Sequence, residues 1–269
     1  MMTAVLKNRC LMMVVFVLFC FAIPTVSPAE DIQCAGQYGG HLQGIATDGK
    51  TAIFWPFTVD LVKTDMNGKV LTSITVPSHH GDLVYHAGRV YVAVNLGQFN
   101  QEPGKADSWV YVYDADDLTL LSKHEVQEVV HGAGGMTYRN GHFFVVGGLP
   151  DSYDENYVYE YDGDLSFVRR HVIASGHTRL GIQTVCYAGG YFWYGCYGYP
   201  ENNALLRTDA SFGDVQYFDT HTSVGIDVLA DGTYIQGFTG KDEETGKWWG
   251  KVRRIRFDET KRGRFVPMK

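Results

Sequence analysis

Val110–Tyr111–Val112–Tyr113–Asp114 alternates β-branched and aromatic residues and ends on an aspartate just before a turn. A period of two is the signature of a strand, and an aspartate at its end is suited to accept hydrogen bonds from the amides of the turn that follows. The same form returns as Leu61–Val62–Lys63–Thr64–Asp65, Val158–Tyr159–Glu160–Tyr161–Asp162, Leu205–Leu206–Arg207–Thr208–Asp209 and Arg254–Ile255–Arg256–Phe257–Asp258. The five aspartates follow one another at intervals of 49, 48, 47 and 49 residues, which marks an internal repeat. Their place in the pattern makes them structural turn caps rather than catalytic acids.

Each copy is preceded by a hairpin. An apolar strand, a tight glycine turn and a strongly aromatic or β-branched strand run from Ile45 to Trp55 around Asp48–Gly49, from Leu83 to Asn95 around Gly88, and from Met136 to Gly147 around Asn140–Gly141. Two further copies run from Val185 to Tyr197 around Gly189–Gly190 and from Val228 to Gly237 around Asp231–Gly232. Asn-Gly and Asp-Gly between alternating apolar residues are strong hairpin signals. A fourth strand follows each aspartate: Lys69–Val76, Leu118–Val126, Ser166–Ile173, Gly213–Thr220 and Gly263–Met268. Four antiparallel strands in about 48 residues make one propeller blade. The chain therefore reads as all-β, a five-bladed β-propeller in a single domain over residues 30–269. The four-strand period argues against a parallel β-helix or a two-sheet sandwich. Closure has two solutions: Arg262–Met268 completes the last blade, or Asp31–Gln37 adds its outer strand as a clasp.

Residues 1–29 read as an export signal. Lys7 and Arg9 form a basic start, Leu11–Ile23 an apolar core too short to be a convincing membrane span, and Ser27–Pro28–Ala29 a small-residue site before Glu30. The expected location is secreted or periplasmic, with no membrane attachment after cleavage. Loss of Lys7 and Arg9 takes the formal charge from −7 to −9. An acidic chain of this kind excludes nucleic acid as a partner and suits a monomer with a small-molecule or glycan ligand. Cleavage leaves Cys34, Cys186 and Cys196, too few for a disulfide framework, and Cys186 and Cys196 flank their hairpin without facing each other.

The segments that lead into each first strand carry histidines: His41, the pair His79–His80, His131, His177 and His221. In a propeller these connections share the face opposite the short glycine turns, and the longer loops Leu96–Ser108, Gly148–Asn156, Tyr197–Asn203 and Phe238–Trp248 lie there too. Convergence of His41, His80, His131, His177 and His221 on the axis would give an open imidazole site for a divalent metal ion able to polarise a substrate oxygen. His80, His131, His177 and Tyr197 are the candidate catalytic groups. Gln43, Asp82, Asn95, Tyr153, Arg179, Gln183 and Tyr199 are candidate substrate contacts, with Arg179 suited to a carboxylate and Tyr153 and Tyr199 to stacking on sugar rings. The opposing reading makes the histidines hydrogen-bonding corner residues between blades, since no two have a compact metal spacing. A hydrolytic carboxylate pair is weaker, because near the strand entries only Asp82 and Asp227 are available, with Glu155 and Glu201 reaching in from loops.

In its blade pattern the chain resembles the secreted bacterial β-propeller proteins, and His41–Leu42–Gln43–Gly44–Ile45 and His79–His80–Gly81–Asp82 look like the corresponding segments of exported members. The resemblance implies fold and export and assigns no catalytic residue. The functional expectation is an exported enzyme acting on a carbohydrate or similar polar substrate by metal-assisted lyase or hydrolase chemistry. The alternative is a non-catalytic propeller that binds a glycan or peptide.

Overall fold

The computed structural model describes residues 31–197, 205–258 and 264–268, and among them there is no α-helix. After a short β1 (Ile32–Gln33), four blades follow in simple antiparallel order. They are β2 (Ala46–Thr47) to β5 (Val70–Thr75), β6 (His80–His86) to β9 (Leu120–Glu125), β10 (Ala133–Arg139) to β13 (Phe167–Ile173), and β14 (Thr184–Ala188) to β17 (Gln216–Phe218). The fifth is built from β18 (Ile226–Val228), β19 (Tyr234–Lys241) and the long β20 (Trp248–Asp258). The five first strands close a ring: β2 packs on β6, β6 on β10, β10 on β14, β14 on β18 and β18 on β2. This is the five-bladed propeller expected from the repeat.

Apolar layers between neighbouring blades hold the ring together, because each sheet buries both faces. Phe54, Leu61, Val90 and Val92 pack between blades one and two, and Met136, Val145, Tyr91 and Val110 between two and three. Trp55, Val62, Ile235 and Val252 seal blade five against blade one. The hairpin Asn140–Gly141 has φ of 49° and 89°, the geometry of a type I′ turn, and Arg139 pairs with His142 across it. Asp65, Asp114, Asp162 and Asp209 act as turn caps, and the turn after Asp258 lies outside the described residues. Asp65 Oδ1 accepts from the amides of Asn67 and Lys69, each at 2.9 Å, and Asp162 Oδ1 accepts from Asp164 at 3.0 Å and Ser166 at 2.9 Å.

Closure uses both chain ends. β1 pairs with β20 at Lys251 and Val252, while β21 (Arg264–Pro267) pairs with β20 from Ile255 to Asp258. The two short strands share the outer edge of blade five, and the Arg253 guanidinium donates to both Asp31 oxygens at 2.7 and 2.8 Å. Cys34, Cys186 and Cys196 are buried free thiols.

Candidate functional site

At the entries to the first strands, on the face opposite the tight turns, lies a cavity of about 210 Å³. Blade one contributes Gln43 and blade four Gln183 and Tyr197, with Leu180 from the segment leading into blade four. Blade two contributes His79, Asn95 and the loop residues Gly97, Phe99 and Asn100.

Backbone pairing sets these side chains in place. His79 and Asn95 exchange backbone hydrogen bonds of 3.3 and 3.2 Å, extending the β6–β7 (Arg89–Asn95) ladder by one pair. The Asn95 side chain then ties the base of the following loop, accepting from the Asp107 amide at 2.9 Å and donating to the Gly97 carbonyl at 3.1 Å. Gln183 donates from its side chain to the Leu180 carbonyl at 2.7 Å, and Gln43 to the Thr58 hydroxyl at 3.1 Å and to Nε2 of His41 at 3.0 Å. Phe99 lies against blade three, where Gly132 and Gly134 leave room for its ring: a Cβ at 132 would come within 2.4 Å of it and one at 134 within 3.2 Å.

The cavity is uncharged, with its polar groups set among apolar surface. Burial, with a smaller contribution from nearby His41, holds the His79 imidazole down at about 4, so it is a neutral base at pH 7. Burial raises the Tyr197 phenol, partly opposed by the Arg179 cation, so it is a protonated acid. Among the described residues no carboxylate lines this space.

Of the residues singled out in the sequence, Gln43, Asn95, Gln183 and Tyr197 meet here. His80 does not. It pairs with Val94, whose side chain belongs to the apolar layer of blades one and two, and its ring is fully buried. Its Nδ1 donates to the Pro77 carbonyl at 2.8 Å and its Nε2 accepts from the Tyr113 hydroxyl at 2.7 Å. The inward member of the pair is His79. Asp82 likewise does not line the cavity: it is 1% exposed, and its carboxyl oxygens accept from the amides of Ile45 at 3.3 Å in blade one and Val185 at 3.0 Å in blade four. It joins blades across the axis, fitted between Gly44 and Gly135, where a Cβ would strike it.

The remaining histidines act on loops. His131 Nδ1 donates to the Gln101 carbonyl and His177 Nδ1 to the Tyr153 carbonyl, each at 2.8 Å. His41 Nδ1 lies 3.0 Å from the Leu42 carbonyl, and His41 supports Gln43. His221 is exposed, and its carbonyl accepts from Gln236 at 2.6 Å. Arg179 stands beside Tyr197 without lining the cavity, and Tyr199 lies outside the described residues. The ring of five histidines is therefore not one ligand set. Among the described residues no three His, Cys, Asp or Glu side chains come together to hold a metal ion, and the donor groups do not fit the expected divalent site. Asn100 comes from the polar stretch of the loop Leu96–Ser108, whereas Phe99 and Leu180 carry no such sign in the sequence; the glycines at 132 and 134, one residue either side of Ala133, are the available sign that a bulky side chain lies on that strand.

These features define a five-bladed β-propeller with an uncharged pocket at one end of its axis, in which amide, imidazole and phenol groups stand among apolar surface. No family model matches the sequence, and no curated protein matches it. Among solved structures, the chain is similar to the xylan β-1,4-xylosidase of Bacillus halodurans C-125, with a TM-score of 0.57 and 12% identity over 88% of this chain and 56% of that one. The chain thus spans little more than half of the xylosidase. A hydrazine synthase chain of Kuenenia stuttgartiensis has a TM-score of 0.46 and 13% identity over 80% of this chain and 64% of that one. BamB of Moraxella catarrhalis has a TM-score of 0.38 and 14% identity, covering 78% and 61%. At such identities the likeness to the xylosidase is one of fold.

Proposed function

We propose that the chain is an exported carbohydrate-recognising propeller whose axial pocket holds one sugar ring. The observation that carries this is the lining: amide side chains of Gln43, Asn95, Asn100 and Gln183, a neutral imidazole, a phenol and the ring of Phe99 surround a space of about 210 Å³. Amides supply paired donors and acceptors to hydroxyls, and an aromatic ring covers the apolar face of a sugar. The volume is below the roughly 300 Å³ at which drug-sized ligand sites begin, which suits a single ring. Export rests on residues 1–29 and is checked by recovering a chain that begins at Glu30 outside the cytoplasm. The binding reading is tested by calorimetric titration of neutral monosaccharides into wild type and Gln43→Ala/Gln183→Ala. Binding by wild type that falls more than tenfold in the variant supports it; absence of binding to every sugar overturns it.

A second reading adds catalysis, favoured by His79 as a neutral base and Tyr197 as a protonated acid around one ring-sized space. No metal is assigned a part in it. Turnover of a bound glycan that is lost in His79→Gln and in Tyr197→Phe, with binding retained, would establish it.

A further inference from the structure

The cavity does not end at Phe99. A second hollow of about 450 Å³ opens on its other side, and Phe99, Asn100 and Leu180 line both spaces. Its remaining walls are Gln101 and Glu102 of the blade-two loop and Pro150, Asp151 and Ser152 of the blade-three loop. We infer that this hollow is a second sugar subsite, so that the ligand is a linear glycan of at least two rings, and that the second ring is neutral or amine-bearing and not a uronate. The inference rests on the saccharide reading above.

Two features carry it. The first is that the walls are built in advance. His131 holds Gln101 by its carbonyl, and its own carbonyl accepts from the Asn100 amide at 3.0 Å. Asn100 Oδ1 accepts from the Leu149 amide at 3.1 Å, joining the two loops, and His177 holds Tyr153 from the far side. The Tyr153 and Ser152 hydroxyls donate to the two Glu102 oxygens at 3.1 and 3.4 Å. A preformed cleft binds without first ordering its loops. The second feature is contrast in charge. The first subsite has an uncharged lining, while Glu102 and Asp151 place two carboxylates on the second, and neither subsite is lined by a Lys or Arg among the described residues. A uronate ring there would meet like charge, and a hydroxyl or ammonium group would meet acceptors.

The test is titration of the full exported chain with matched sugars: xylose and xylobiose, glucose and cellobiose, chitosan disaccharide, and a glucuronic-acid-containing disaccharide. Disaccharides are expected to bind at least tenfold more tightly than the matching monosaccharides. Ser152→Trp, which fills the hollow, should bring them down to the monosaccharide level. The uronate disaccharide should bind about tenfold more weakly than cellobiose, as two partly solvated like charges imply, and Glu102→Gln/Asp151→Asn should abolish that difference. Equal affinity for mono- and disaccharides, or a uronate bound as tightly as cellobiose, overturns the inference while monosaccharide binding through Gln43 leaves the first subsite standing. Failure of every sugar to bind removes both.

Discussion

Phe99 rests directly on Gly132: a Cβ at that position would come within 2.4 Å of the Phe99 ring, and Gly132 has φ of 100°, where a side chain is strained. Gly132→Ala is therefore expected to cost about 1–3 kcal/mol through the backbone alone and to push Phe99 out of the wall shared by the two cavities. Sugar affinity should fall more than tenfold, and trypsin should cut faster after Lys105 in the loaded loop. Unchanged affinity would show that Phe99 is not part of the binding wall.

Asp82 links blades one and four by accepting from the Ile45 and Val185 amides, and its removal should be felt as lost stability rather than lost affinity. Asp82→Ala leaves the Ile45 and Val185 amides without their acceptor in a buried setting. The expected loss is roughly 2–4 kcal/mol, read from the midpoint of denaturant unfolding. A variant as stable as wild type would refute this role.

Asp227 gives stability an unusual pH dependence. Its Oδ2 accepts from the Thr47 amide at 2.8 Å, and burial raises its carboxyl to about 7. The folded state then keeps a proton that the unfolded chain releases near pH 3.8, so this contribution is complete below that pH and is lost as pH climbs to about 7. The buried His79 and His80, both held down at about 4, act in the opposite sense: their contribution is complete above pH 6.5 and is lost as pH falls towards 4. Total stability mixes the two. The difference between wild type and Asp227→Asn isolates the carboxyl, and it should shift against wild type by up to roughly 4 kcal/mol between pH 4 and 7. A difference independent of pH would mean that Asp227 titrates normally.

His79 predicts a flat binding profile. Its imidazole is neutral down to about pH 4, so sugar affinity should be constant from pH 5 to 8 and weaken only below that range. A break near pH 6.5 would place the ring in ordinary solvent and remove it from the pocket wall. The measurement is the same titration repeated across pH in wild type and His79→Gln.

The even spacing of the five aspartates, the glycine turns and the alternating strands were enough to determine blade number and blade composition, because hairpin register and strand period are local properties of a sequence. The placement of Gln43, Asn95, Gln183 and Tyr197 at strand entries and ends, where they line one cavity, was legible for the same reason. Which of two adjacent histidines turns inward was not. His80 is drawn into the blade by its pairing with Val94 and its bond to Tyr113, and β6 has a register shift between His80 and Leu83 that breaks simple alternation just where Asp82 sits. The division of the last outer strand between β1 and β21 depends on which halves of β20 each chain end meets. Phe99 lines the cavity only because glycines on another blade leave it space. The repeat determined the scaffold; the contents of the pocket were decided by contacts between residues far apart in the chain, which only the closed ring brings together.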